Sequence, residues 1–251
     1  MSSLAEMVRY ADEQLRVSEI EDYPQALNGL QIENSGKVTK IGAAVDASVA
    51  TIEMAIARGL DLLIVHHGLF WPGLRPVTGP LRRALKSAFD HNLALYSAHL
   101  PLDLHPTLGN NALLAAALGL EKTEPFLPLK GQPAGLVGSV IWRREELVSK
   151  LQDSLGVSVR CIGTGPVETK RIGIVTGGAG GEIYAVAREG VDTYITGEAP
   201  HWAAVAAEEL GINLFLGGHY ATETFGVKAL AAELARRFNL SWEFLDHPTG
   251  L

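Results

Sequence analysis

The chain has 251 residues, of which 47% are hydrophobic and 20% charged, a balance typical of a folded globular protein rather than a disordered one. The net charge of −7 argues against nucleic acid as the main partner, because phosphate backbones bind basic surfaces. The single cysteine, Cys161, excludes an internal disulfide and a thiolate metal cluster, and it is consistent with a reducing cytoplasm.

The first segment, MSSLAEMVRYADEQL, contains acidic residues and lacks the apolar stretch of a signal peptide, so it predicts an amphipathic helix. No apolar run in the sequence approaches the roughly 18 residues that would span a bilayer. We therefore expect a cytoplasmic protein that does not associate with membranes.

Strand-like and helix-like segments alternate after this helix, which is typical of α/β folds. The predicted strands and helices of the first part are, in chain order, KIGAAVD, SVATIEMAIARG, DLLIV, PLRRALKSAFDHN, LALYSAH and NNALLAAALGL. The stretch EKTEPFLPLKGQPAG then breaks the pattern with three prolines. It predicts a boundary between two α/β lobes with mixed sheets, residues 1–125 and 126–251, and the C-terminal segment could pack back on the first lobe.

An internal repeat relates the two predicted lobes. The segment that begins at Ile41 aligns without a gap with the segment that begins at Ile172, and Asp61 then matches Asp192. Any two strand–helix–strand units share apolar positions, so those alone are weak evidence. The next strand of each lobe, however, is followed by a histidine and, four residues later, by a carboxylate. We infer two related halves.

Polar residues follow several predicted strands, where an open α/β sheet binds its ligand. They comprise paired histidines, further histidines and two carboxylates, namely His66, His67, His99, Asp103, His219 and Glu223, with His201 in a later loop. This nitrogen and oxygen donor set suits zinc, iron, manganese, cobalt or nickel better than calcium. One catalytic ion does not need so many ligands, so we expect two divalent ions in a crevice between the lobes. Glu223 is the natural bridge, because a carboxylate has two oxygens.

The runs VHHGLFW, SAHLPLD and GGHYATE, together with NGLQI near the start, resemble the GTP cyclohydrolase 1 type 2 homologs, also called the Nif-three-like dinuclear metal-centre family. The likeness covers nearly the whole chain. Carried over by position, it implies five metal ligands, which are His66, His67, Asp103, His219 and Glu223. It also implies two linked α/β lobes that assemble into a toroidal homohexamer.

The resemblance implies a metal-dependent hydrolase that opens the imidazole ring of GTP with metal-bound hydroxide. His99, Glu198 and His201 are then the candidate catalytic residues for moving protons. One alternative is hydrolysis of another nucleotide or a phosphoester at the same site. Another is a non-catalytic metal-binding or adaptor assembly.

Several of these residues also have an ordinary structural interpretation. Asp103 could cap a turn, and His219 with Glu223 could form a solvated i, i+4 pair. The glycines of TGGAGGE could bind a phosphate or could form a tight turn. Phe70 and Trp202 could stack on a base or pack in the core.

Overall fold

The computed structural model describes residues 2–129 and 131–251. The chain divides into two compact units. The first unit contains Met1–His105 and Gly226–His247, and the second contains Pro106–Phe225 and Pro248–Leu251. Over the described residues, no helix combines the length and the apolar character that crossing a bilayer requires.

The first unit is built on a five-stranded sheet. Its elements are β1 (Ser2–Ser3), α1 (Leu4–Leu15), a 3-10 turn (Pro24–Ala26), β2 (Gly29–Ile32), β3 (Lys37–Val38), β4 (Lys40–Asp46), α2 (Val49–Ala57), β5 (Leu62–His67), α3 (Gly79–Asp90), β6 (Ala94–Ser97), α4 (Leu100–Asp103), and, late in the chain, α10 (Thr224–Phe238) and β13 (Ser241–Phe244). The strand order is β13-β4-β5-β6-β2, parallel except for β2. All six residues of β5 are buried, as expected of a central parallel strand covered on both faces.

The second unit is built on a six-stranded mixed sheet. Its elements are α5 (Asn110–Ala117), β7 (Thr123–Leu129), β8 (Gln132–Arg143), α6 (Arg144–Leu155), β9 (Arg160–Ile162), β10 (Glu168–Val175), a 3-10 turn (Ala179–Glu182), α7 (Ile183–Arg188), β11 (Thr193–Thr196), α8 (His201–Leu210), β12 (Asn213–Leu216) and α9 (His219–Thr222). The order is β7-β8-β10-β11-β12-β9, in which only β10, β11 and β12 run parallel to one another. The prediction of an α/β fold with mixed sheets is confirmed.

The proline-rich stretch is a β-hairpin and does not mark the limit between the units. Strands β7 and β8 pair antiparallel across it, with Pro128 opposite Pro133. The hairpin tolerates Pro125 and Pro128 because β7 is an edge strand, where a proline need not donate to the ladder. The division of the chain at residues 105 and 106 therefore differs from the predicted boundary at residue 125.

Helix α5 belongs to the second unit because its polar residues satisfy that unit's backbone. The Asn111 side chain donates to the carbonyl of Ala134 at 3.0 Å and accepts from the amide of Thr176 at 2.9 Å. Leu114 of the same helix packs in a buried cluster with Ile172 and Phe215. The segment Gly226–His247 returns to the first unit, as β13 pairs with β4 there.

The predicted repeat is reproduced in the strand register of the two units. Ile41 pairs with Leu62 between β4 and β5, and Ile172 pairs with Thr193 between β10 and β11. Both residues of the second pair lie 131 positions after those of the first, so the gapless alignment of the sequence is also an alignment of hydrogen-bonded partners. Each unit then continues with a third parallel strand.

One carboxylate holds the start of each repeated unit. Asp61 accepts hydrogen bonds from the amides of Thr39 at 2.6 Å and Lys40 at 3.0 Å. Asp192 accepts from the two amides at the matching positions 170 and 171, each at 3.0 Å. A carboxylate that accepts backbone N–H groups satisfies donors that the sheet ladder leaves open. The repeat therefore preserves a specific contact as well as an apolar pattern.

Replacing Asp192 with alanine removes the acceptor of two backbone amides. We expect Asp192→Ala to lower the free energy of unfolding by about 1.5–3 kcal/mol, since hydrogen bonds to charged groups contribute about that much. Urea denaturation of the metal-free protein measures it. Asp153→Ala, at an exposed position of α6, is the matched control and should change the value by less than about 0.5 kcal/mol. Equal effects of the two substitutions would contradict the role of Asp192.

Candidate metal centre

The paired histidines are the last two residues of β5, which extends two residues beyond the predicted strand. The His66 ring is fully buried and that of His67 nearly so. His66 Nδ1 lies 2.9 Å from the carbonyl oxygen of Ala98, and a carbonyl can only accept, so Nδ1 carries the proton. His67 Nδ1 lies 2.9 Å from Asp46 Oδ1, on the neighbouring strand. Both rings therefore keep Nε2 as the nitrogen that could bind a metal.

His99 follows β6 and begins the turn that leads into α4. Its Nδ1 lies 3.0 Å from Asp22 Oδ1. Burial alone would raise the pKa of Asp22, but hydrogen bonding to His99 and Asn28 outweighs it, and the pKa lies below its usual value. The His99 ring is almost completely buried, and its centroid is 4.8 Å from that of His66 and 5.6 Å from that of His67.

The three imidazoles form one cluster. A ring nitrogen from each of His66, His67 and His99 lies within 4.8 Å of the others, a spacing that could hold a metal ion. Asp103, at the end of α4, is nearly buried and places Oδ2 3.5 Å from His66 Nε2. The first unit thus brings together four of the residues singled out in the sequence. Their nitrogen and oxygen donors fit a divalent transition metal.

The second unit brings together three more of those residues. His219 begins α9 and Glu223 follows its end, so both lie on one face, and His219 Nε2 is 3.1 Å from Glu223 Oε2. His219 Nδ1 is 3.0 Å from Glu198 Oε1. Glu223 is almost completely buried. A solvated surface pair is therefore the wrong description of His219 and Glu223.

The two carboxylates change the acidity of His219. Burial alone would lower the pKa of this imidazole, but hydrogen bonds and charge attraction from Glu223 and Glu198 raise it to about 9. In the metal-free protein at neutral pH both ring nitrogens therefore carry protons. A metal that bound at Nε2 would displace one of them.

The glycine-rich loop after β10 packs against Glu223. Gly177 has a φ of +72°, and a Cβ at this position would overlap Glu223 Oε1. Its amide donates to the Thr222 hydroxyl at 3.0 Å, and its carbonyl accepts from the amides of Gly197 and Glu198. The tight-turn interpretation of TGGAGGE therefore agrees with the structure. The turn allows the backbone to approach the carboxylate closely.

Three other residues named from the sequence, His201, Trp202 and Phe70, are not part of these two clusters. His201 is exposed at the first residue of α8, and Trp202 beside it is half-exposed and stacks on Tyr184 with ring centroids 6.2 Å apart. Phe70 packs against the core of the first unit. The aromatic ring at the histidine cluster is instead that of Trp71, whose centroid is 4.5 Å from that of His99 and 4.8 Å from that of His67.

Two carboxylates that contact the histidines, Asp46 and Asp22, are not among the candidates named from the sequence. Asp46 could have been found, because it ends the predicted strand KIGAAVD next to the strand that carries His67. Asp22 gave no periodic or spacing signal, since it lies in an irregular segment before a short 3-10 turn. NGLQI has a structural role, because Asn28 contacts Asp22 and Gln31 accepts from the amide of Leu69 at 2.9 Å.

The chain is similar to several known proteins. A family model described as Duf34/NIF3 (NGG1p interacting factor 3) matches residues 2–249. A Deinococcus radiodurans protein named GTP cyclohydrolase 1 type 2 homolog is 40% identical over 248 residues, 98% of this chain and 94% of that protein. A Pyrococcus abyssi protein of the same name is 41% identical, with 98% of each chain covered.

Solved structures are similar over the whole chain as well. The protein TTHA1606 from Thermus thermophilus is 40% identical and superposes with a TM-score of 0.91, covering 99% of this chain and 100% of that one. Reduced HcgD from Methanocaldococcus jannaschii is 28% identical with a TM-score of 0.86, covering 98% of each chain.

Gly177 provides a test of the close approach to Glu223. We expect Gly177→Ala to destabilise the protein by about 2–4 kcal/mol, because a left-handed backbone and an overlap with a buried carboxylate both add cost. Gly190→Ala is the matched control, since Gly190 has the same φ of +72° and open space around its Cβ. It should lose only about 1 kcal/mol. Urea denaturation compares them, and equal losses would rule out the overlap.

The raised pKa of His219 predicts a pH dependence in the metal-free protein. Because the folded-state pKa of about 9 lies above the ordinary value of 6.5, the protonated ring stabilises the fold fully below about pH 6.5. This contribution is lost as the pH rises through about 9. NMR titration of the His219 ring should give a midpoint near 9, and Glu198→Gln should lower it. A midpoint near 6.5 in the wild type would contradict the prediction.

Proposed function

Because the chain belongs to the Duf34/NIF3 family, we propose that it is a metal-dependent hydrolase with a dinuclear centre. The resemblance inferred from the sequence is confirmed by the family match and by relatives about 40% identical over almost their full length. The relatives' shared name, GTP cyclohydrolase 1 type 2 homolog, supports GTP as the first substrate to test.

The observation that most supports the proposal is the burial of the three clustered imidazoles together with the hydrogen bonding of their Nδ1 atoms. His66, His67 and His99 are buried, and an oxygen acceptor engages Nδ1 of each ring. Histidines that ligate metals commonly donate their other ring nitrogen to an oxygen in this way, because it fixes the tautomer and orients the ring.

We propose two divalent ions per chain, of zinc, iron, manganese, cobalt or nickel. The proposed ligands are His66, His67, Asp103, His219 and Glu223. Glu223 is the proposed bridge, because its two oxygens can bind two cations and its negative charge offsets their repulsion. When bound, the ions would lower the pKa of water towards about 7 and so supply a nucleophile at neutral pH.

The proposed reaction is hydrolytic opening of the guanine imidazole ring. Water adds to C8 of GTP, a ring carbon–nitrogen bond breaks, and a second water releases C8 as formate. His99 would take a proton at Nε2 and return it to the leaving nitrogen, while Asp22 holds its Nδ1 proton. Glu198 and His201 remain candidates for proton transfer, although Glu198 contacts the His219 ring in this structure.

A panel of substrates tests catalysis. Metal-loaded protein should release formate from GTP. Release of phosphate from nucleotides or phosphoesters, without formate, would replace ring opening with phosphoester hydrolysis as the function. A protein that binds metal but turns over none of the panel would be a non-catalytic metal-binding or adaptor assembly.

We further propose that the chain assembles with itself into a toroidal homohexamer, as the family resemblance implies. Light scattering coupled to size exclusion should then give six times the chain mass of 26.8 kDa. A monomer or dimer at micromolar concentration would contradict the hexamer.

Glu223→Gln tests the bridging role. The amide keeps the size of the side chain but offers one oxygen and no charge, so the variant should lose at least one ion per chain and its hydrolytic activity. It should keep its oligomeric state, because a core of this size does not need a metal to fold. Elemental analysis, size exclusion and the activity assay measure these three results.

Glu209→Gln is the matched control, since Glu209 is exposed on α8 and should retain metal and activity. A Glu223→Gln variant that retained both ions would contradict the bridge. One that dissociated into smaller species would favour a role of the metal in assembly.

A further inference from the structure

The carboxylate of Asp22 is a buried acceptor with several donors around it. Its side chain is 5% exposed. It accepts from the backbone amides of Tyr23 at 2.7 Å and Leu100 at 2.9 Å, and from Asn28 Nδ2 at 2.8 Å. The ring of His99 adds a fourth donor at 3.0 Å. So many donors around one buried carboxylate keep it ionised and fix its position.

Asn28 connects this carboxylate to the backbone of His99. Its Nδ2 donates to Asp22 Oδ2, and its Oδ1 accepts from the amide of His99 at 2.7 Å. The backbone and the ring of His99 are therefore held from the same side, by two neighbouring side chains. This arrangement explains why the motif NGLQI begins with a residue that can donate and accept at once.

The tautomer of His99 follows from these contacts. An ionised carboxylate can only accept, so Nδ1 of a neutral His99 carries the proton and Nε2 keeps its lone pair. The ring is also confined, since the His66 ring lies on one side with centroids 4.8 Å apart and Trp71 lies 4.5 Å away. Rotation that exchanged the two nitrogens would separate Nδ1 from Asp22.

We propose that Asp22, held by Asn28, is a positioning residue that acts through His99, keeping its Nε2 lone pair directed towards the site of His66 and His67. The effect on metal binding rests on the proposed metal-dependent function. The control of the His99 tautomer by Asp22 does not. Asp22 contacts Nδ1 of His99 in the same way as Asp46 contacts Nδ1 of His67 and Glu198 contacts Nδ1 of His219. It is the most buried of the three carboxylates, so its loss should have the clearest effect.

Asp22→Asn tests the proposal in the metal-free protein. Whichever way the new amide is turned, its NH2 group faces a donor, because both carboxylate oxygens accept N–H groups in the wild type. Selective 15N-histidine labelling, at a pH where the His99 ring is neutral, should show His99 as the Nδ1–H tautomer in the wild type. In Asp22→Asn it should show a mixture or the Nε2–H tautomer. The His99→Gln spectrum assigns the signal.

The second measurement is the affinity for Zn²⁺ alone, by competition with a chromophoric chelator. The ring nitrogens of His66, His67 and His99 lie within 4.8 Å of one another, so His99 could assist the five proposed ligands in holding Zn²⁺. Loss of a carboxylate that orients such a histidine typically weakens metal binding about 10- to 100-fold, and we expect a loss in that range for Asp22→Asn. Asp12→Asn is the matched control. Asp12 is also a partly buried carboxylate of the first unit, but it accepts from the Tyr96 hydroxyl at 2.8 Å. It should leave the tautomer and the affinity unchanged.

Asn28→Ala is the second variant, in case Asp22→Asn does not fold. It keeps the carboxylate and removes the Asn28 contacts to Asp22 and to the His99 amide, so we expect changes in the same direction but of smaller magnitude. Folded variants at both positions with the wild-type tautomer and Zn²⁺ affinity would overturn the proposal. A wild type that binds no Zn²⁺, with a tautomer that still changes in Asp22→Asn, would refute the proposed metal function and support the positioning role.

Discussion

The candidate site depends on one type of contact, the hydrogen bond from the Nδ1 atom of a histidine to an oxygen acceptor. It occurs at His66, His67, His99 and His219, with donor–acceptor distances between 2.9 and 3.0 Å. An imidazole has two chemically similar nitrogens, and a protein must fix which one is protonated before it can use the other. The contacts of His66, His67 and His99 do this, and all four contacts also fix the plane of the ring.

The acceptors are supplied by the sheet and by the segments beside it. Asp46 is the register partner of His67 on the adjacent parallel strand, and Ala98 follows β6, on the other side of β5. Parallel strands in register place successive chain segments side by side at the same edge, so residues distant in sequence become neighbours. The arrangement of the histidines is thus a consequence of the strand order.

The repeat explains why the two units resemble each other but contribute different chemistry. Asp61 and Asp192 hold equivalent amides, and the strand pairs that follow have the same register. At the positions that match His66 and His67, however, the second unit has Gly197 and Glu198. The first unit therefore contains a cluster of imidazoles, whereas the second contains one imidazole between two carboxylates, which raises its pKa.

The sequence by itself determined the α/β class, the repeat, and the histidines and carboxylates that cluster within each unit. Apolar periodicity and histidines at strand ends are local signals, so they can be read without the tertiary structure. It placed the unit boundary twenty residues late, since prolines that suit an edge strand are also typical of a linker. Only the tertiary structure identified Asp22 and Asn28 as partners of His99. Their contacts join residues far apart in the chain, and no spacing within one segment encodes such a pairing.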